Sequence, residues 1–248
     1  MIFGYLLEML RRTKVKIPLR LDIKSHCHML VTGSSGVGKS ALLLYLAGVL
    51  LKSHPDIVVY FCDFKNSEDF AFLSGRHYYS GDDECLNGIR EYYQAFTEAR
   101  QSRDNSKRYV LIFDEYPAFI NYLQGKDKLD KTKNANEVLS AVAEMLMLGR
   151  GIGFGVWIVT QRADASLFAN GARDNFMVVI ALGRLSKEQK NMIFPGEEIP
   201  DIVFNRGEGL CLADGYPLVP VKFPVIDDVD GWKRHIMDIL MPDGGAKH

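Results

Sequence analysis

The stretch LVTGSSGVGKSALLLYL, residues 30–46, sets the reading of this chain. A short apolar run enters Gly33, Ser34, Ser35, Gly36, Val37, Gly38, Lys39 and Ser40, and an apolar helical pattern follows from Ala41. The spacing is G-x-x-x-x-G-K-[ST], that of a loop that wraps nucleotide phosphates. Gly33 and Gly38 let backbone N–H groups approach the phosphates, and the N-terminus of the following helix adds favourable electrostatics. In that arrangement Lys39 reaches the β- and γ-phosphates of ATP, and the Ser40 hydroxyl ligates Mg²⁺. Gly33 through Ala41 are therefore the candidate nucleotide-binding residues. An ordinary Gly/Ser turn is the plain alternative, and the strand–loop–helix context argues against it.

Working outward, LIFDEY (111–116) supplies a second half to this site. A buried strand that delivers Asp114 at its C-terminal end places a carboxylate where it can hold the water shell of the magnesium. Glu115 follows directly, so one acid can serve the metal while the next polarises the attacking water. A third run, GVWIVTQ (155–161), ends in Thr160-Gln161, and Gln161 is a candidate contact to the γ-phosphate or the water. Asp63 and Lys65, after DIVVYFCDF (56–64), are expected on the same sheet edge, with switch-like and structural roles both open. GRGIGFG (149–155) precedes a strand instead of following one, so it reads as a tight helix-to-strand turn and not a dinucleotide fingerprint.

The remaining pattern fixes a fold class. Strands are expected at 15–23, where Pro18 favours a sheet edge, and at 28–33, 56–64, 109–116, 155–161 and 176–183. Helical spacing covers 40–52, 84–101, 135–149, 186–194 and about 230–240. The runs 207–215 and 216–223 join around Asp214-Gly215 like a hairpin. Alternating strands and helices argue for an α/β fold with a mostly parallel central sheet flanked by helices and a C-terminal β-hairpin. The expected organisation is an N-terminal amphipathic segment over 1–14, read as a short helix, one domain over 15–240, and a flexible tail over 241–248. Residues 101–108, 123–136 and 162–175 read as polar loops within that domain.

Composition excludes several classes. The chain has 248 residues with 25% charged and 47% hydrophobic residues, as expected of a soluble globular protein with a sizeable core. Its formal net charge is −1, so no global basic field advertises nucleic acid. Four scattered cysteines lack metal or disulfide spacing and suit a reducing compartment. No apolar run reaches the ~20 residues of a membrane span. MIFGYLLEMLRR lacks the marks of a signal peptide, and a foot on a membrane surface is its minor reading. A cytoplasmic location is expected. Lys126, Lys128, Lys131 and Lys133 stud the stretch after FDEY, although Asp127 and Asp130 dilute them.

Taken in order, IPLRLDIKSHCHMLVTGSSGVGKS, LIFDEY, LGRGIGFGVWIVTQRAD and LSKEQKNMIFPGEEIPDIVFNRGEGLCLADG resemble the FtsK/HerA-type P-loop motor ATPases, including conjugative coupling proteins. Val159 stands where that family usually has alanine, and Ala163 where it has proline. The resemblance spans roughly residues 16–225. It implies a RecA-like core, assembly into a homo-oligomeric ring, usually hexameric, and ATP-driven movement of DNA through the pore. It implies Lys39, Ser40, Asp114, Glu115 and Gln161 as active-site residues, with an arginine supplied by the neighbouring subunit. Arg184 is the first choice for that arginine, ahead of Arg150, Arg173 and Arg206. Pore-facing loops would present Lys126, Lys128, Lys131, Lys133, Arg162 and Arg173 to DNA without sequence preference. Family members usually carry a membrane anchor, and some a winged helix. Neither pattern occurs here, so a minimal motor, a motor with a separate membrane or conjugation partner, and an excised domain stay open. A protein-secretion motor of the same superfamily and a P-loop kinase or nucleotide switch are the alternative functions.

Overall fold

The computed structural model describes residues 1–162 and 173–240. The proposed tail at 241–248 and most of the expected loop at 162–175, Ala163 included, lie outside the described residues. The strands are β1 (Ile2–Leu6), β2 (Pro18–Arg20), β3 (Met29–Thr32), β4 (Val58–Asp63), β5 (Tyr79–Gly81), β6 (Tyr109–Asp114), β7 (Phe154–Thr160), β8 (Val178–Leu182), β9 (Glu208–Ala213) and β10 (Tyr216–Lys222). They form one sheet in the order β2-β1-β10-β9-β8-β3-β7-β6-β4-β5. From β8 to β5 every pairing is parallel. The β9–β10 hairpin then extends the sheet antiparallel, closing with Tyr216 opposite Ala213.

The helices are α1 (Leu7–Thr13), α2 (Lys39–Ser53), α3 (Cys85–Ser102), α4 (Tyr116–Asp130), α5 (Asn134–Leu148), α6 (Lys187–Ile193) and α7 (Val229–Leu240). Both sheet faces are covered, which is why the central strands read as continuous apolar runs. Their side chains alternate between two cores. In β6, Leu111 and Phe113 enter the core shared with α3, α4 and α5, while Val110 and Ile112 enter the one shared with α2. The α2 helix is apolar nearly all round because it is covered twice, by the sheet and by α7. Trp232 of α7 donates from Nε1 to the Leu44 carbonyl at 3.0 Å and stacks on Tyr45. Leu43, Leu46 and Leu50 are fully buried there. Each such burial is worth about 1.5–3 kcal/mol.

Three expectations change. Residues 2–6 form a strand, not a helix, and only Leu7–Thr13 is helical. Pairing decides this: β1 lies between β10 and β2, with Tyr5 opposite Lys222 on one side and Pro18 on the other. Phe3 is fully buried by that insertion. Pro18 sits in the edge strand β2, where its missing N–H is tolerated. Second, the expected polar loop at 123–136 is helix as far as Asp130. Phe119, Ile120 and Leu123 bury one face of α4, and that packing carries the polar residues opposite. Lys131 ends the helix in the left-handed conformation. Asp127 then accepts from the backbone N–H groups of Asn134 and Ala135, at 2.9 and 2.8 Å, and so caps α5. Third, β5 is a short edge strand that had no apolar pattern to announce it.

Candidate nucleotide site

Four adjacent strands end abreast. Thr32 of β3 lies opposite Thr160 of β7, Asp114 of β6 opposite Val159, and Asp63 of β4 opposite Asp114. This carboxyl edge of a parallel sheet is where ligands of such folds bind. β7 intervenes between β3 and β6, so the phosphate loop and the acidic pair face each other across one strand.

The loop geometry explains its glycines. A Cβ on Gly33 would lie 2.7 Å from the Leu182 carbonyl oxygen and 2.9 Å from Val37 Cγ2, so no side chain fits. Gly38 opens α2 at φ 105°, a left-handed conformation that favours glycine. Ser34, Ser35, Gly36 and Ala41 are exposed around this turn, while Val37 and Ser40 are half-buried. Lys39 is buried, and its Nζ donates to the carbonyls of Gly33 at 2.8 Å and Ser34 at 3.0 Å. Burial pushes its pKa down, and the Glu115 and Asp114 carboxylates oppose that. An ammonium held on two carbonyls within a ring of loop N–H groups fits an incoming phosphate.

Three carboxylates converge opposite. Asp114 is 6% exposed, and burial first, then Glu115 and Asp63, pushes its carboxyl up to about 7. Asp63 is fully buried; its Oδ2 accepts from Ser67 N and Oγ, while its Oδ1 has no hydrogen-bond partner. Glu115 starts α4 with φ 57° and ψ 37°, a bend that turns its side chain out of the strand direction. Its Oε1 accepts from Lys65 Nζ at 2.6 Å and from Gln161 Nε2 at 3.2 Å. Crowded acids with an unpartnered oxygen fit a divalent cation. Among the described residues no group of three His, Cys, Asp or Glu side chains is arranged to hold a metal directly. A magnesium here would rest on Ser40, water and phosphate oxygens, as that ion commonly does.

The structure thus brings together Lys39, Asp114, Glu115 and Gln161, and adds Lys65, whose role the sequence left open. It separates the other candidates. Arg184 is exposed, just beyond Gly183 at the end of β8, beside its own chain's β3. Arg206 borders the phosphate loop: its Cγ lies 3.9 Å from where a Gly38 Cβ would be. Gly207 N donates to the Val37 carbonyl at 3.2 Å, and Lys222 Nζ to the Arg206 carbonyl at 3.0 Å. An arginine of this chain therefore borders its own loop. Only the Gly207–Gly209 spacing hinted at that. Lys126 and Lys128 lie in the last turns of α4, and Lys131 and Lys133 in the turn to α5, at the end of α4 remote from Glu115. Lys126 pairs with Asp83 at 3.2 Å. Arg162 is exposed directly after Gln161, and the Arg173 guanidinium donates to the Met192 carbonyl at 2.6 Å.

No family model matches the chain. It is 26% identical over 226 residues to the FtsK domain-containing protein YdcQ of Bacillus subtilis (strain 168), covering 82% of this chain and 45% of that protein. Its fold is similar to that of EssC (ATPases 2 and 3) from Geobacillus thermodenitrificans, with a TM-score of 0.75 at 12% identity, over 96% of this chain and 48% of that one. The pCW3 conjugation coupling protein TcpA, solved with ATPγS, gives 0.69 at 19% identity, over 90% and 67%. The cytoplasmic domain of the type VII secretion ATPase EccC from Thermomonospora curvata gives 0.67 at 20% identity, over 95% and 30%. The chain spans less than half the length of the curated relative. The RecA-like P-loop fold is shown by these likenesses, and the resemblance to FtsK/HerA-type P-loop ATPases is borne out.

Proposed function

We propose that this FtsK-like P-loop chain is an ATP-hydrolysing motor that moves DNA. The observation that supports hydrolysis is the meeting of Lys39 in the phosphate loop with Asp114, Glu115 and Gln161 at the ends of neighbouring strands. The loop N–H groups and Lys39 hold the β- and γ-phosphates. Glu115 orients a water for in-line attack on the γ-phosphorus and takes up its proton, and ADP leaves. Gln161, already bonded to Glu115, senses whether the γ-phosphate is present. Ser40, and Asp114 through water, would hold a magnesium ion, which would supply positive charge against the phosphate oxygens.

A carboxylate base directly after the metal-associated aspartate favours water activation over phosphoryl transfer to a second substrate. A homo-oligomeric, hexameric ring would place Arg184 of one subunit at the nucleotide of the next. It would also multiply the charge of Lys126, Lys128, Lys131, Lys133, Arg162 and Arg173 around a pore, offsetting the neutral composition. Such contacts bind DNA without sequence preference. No helix among the described residues is long and apolar enough to cross a membrane.

The likeness to a named secretion ATPase favours protein transport as the second reading. It would keep every residue of the hydrolytic site. ATP turnover measured with no DNA, single-stranded DNA and double-stranded DNA, with Lys39→Ala as control, decides between them. Stimulation by DNA is the expected result. Lys39-dependent turnover indifferent to DNA gives the secretion reading, and nucleotide binding without turnover gives the switch or kinase reading.

A further inference from the structure

Lys65 is built into the site by more than its charge. Asp63 accepts from Ser67 N at 2.8 Å and Ser67 Oγ at 3.1 Å, and Asn66 N donates to the Asp63 carbonyl at 3.0 Å with Asn66 left-handed at φ 50°. Phe64 packs 5.4 Å, between ring centres, from both Phe119 and Tyr122 of α4. The turn is thereby clamped to the helix that Glu115 begins, and Lys65 projects between the two anchors. Its ammonium and the Gln161 amide converge on one oxygen of Glu115. The Lys65 side chain is 48% exposed against 9% for Glu115, so the cation is the partner free to move. It also lies close enough to Lys39 for the two cations to repel.

We propose that Lys65 is a positioning residue that holds Glu115 away from the attacking water until the γ-phosphate draws the ammonium off. This rests on the hydrolytic reading above. A carboxylate already accepting from an ammonium and an amide is a poorer acceptor for a water proton. The γ-phosphate brings new negative charge beside both lysines, and the half-exposed Lys65 answers it with the smaller loss of packing. Glu115 then keeps Gln161 as its guide on Oε1 and, relieved of the ammonium, becomes the stronger acceptor for the water proton.

The test is steady-state ATP hydrolysis without DNA by wild-type, Lys65→Met, Lys65→Gln and Lys65→Arg chains. Loss of a half-exposed ion pair should raise kcat about fivefold in the Met and Gln variants, with KM within about twofold. Lys65→Arg should restore the lower wild-type rate. In a Glu115→Gln background Lys65→Met should have no effect, because its action passes through that carboxylate. Unchanged or lowered kcat in both neutral variants of an active protein overturns the inference alone. An equal effect with and without Glu115 overturns it too. A wild-type chain that turns over no ATP overturns the hydrolytic reading and this inference together.

Discussion

Asp114 gives the sharpest thermodynamic prediction, because its burial works against its charge. Folded Asp114 keeps its proton up to about pH 7, whereas the ordinary value is 3.8. Between those values the folded state binds more protons than the unfolded chain, so its stability contribution falls as pH rises and levels off above the folded value. At about 1.36 kcal/mol for each pH unit, the gap from 3.8 to about 7 sets a ceiling of about 4 kcal/mol on the cost of ionising the site. Asp114→Asn keeps the shape and removes that cost. In chelator, without nucleotide, the variant should match wild type near pH 4 and exceed it by roughly 2–4 kcal/mol at pH 8. For a domain of this size that is a Tm difference of roughly 5–12 °C. Thermal melts of both proteins across this range read the difference directly and cancel all titrations they share. A gap that stays constant from pH 4 to 8, or wild type gaining on the variant as pH rises, would refute the reasoning.

Lys39→Ala removes the ammonium from the phosphate loop, so ATP affinity and turnover should both collapse while the melting transition persists; calorimetric titration and a phosphate-release assay check the two halves. Glu115→Gln should cut hydrolysis by ~10²–10⁴ while nucleotide binding survives, and loss of binding with normal turnover would assign Glu115 the wrong role. Reversing the charge of Lys126, Lys128, Lys131 and Lys133 should weaken DNA binding and flatten its salt dependence. Gel-shift titrations at several salt concentrations test this, and binding equal to wild type at each would remove the α4–α5 turn from the DNA surface.

The phosphate loop, the acidic pair and the parallel sheet were legible in the sequence because each rests on local chemistry. Gly33 and Gly38 are required by close approach and by φ, and an apolar run ending in Asp114-Glu115 is a strand delivering acids whatever surrounds it. Pro18 announced an edge strand for a similar reason: a missing N–H is intrinsic to the residue. Other features depended on partners distant in the chain. MIFGYL is a strand only because β10, more than 200 residues later, offers it a ladder. The polar stretch after Leu123 is a helix because Phe119, Ile120 and Leu123 find a core built by α3, α5 and the sheet. The pairing of Lys65 with Glu115 joins two loops 50 residues apart, and no periodicity records it. Sequence by itself determined which side chains are candidates for the chemistry and which strands end with them. Only the tertiary structure decided which of those ends lie abreast, because strand order is set by packing both faces of the sheet and not by any one segment.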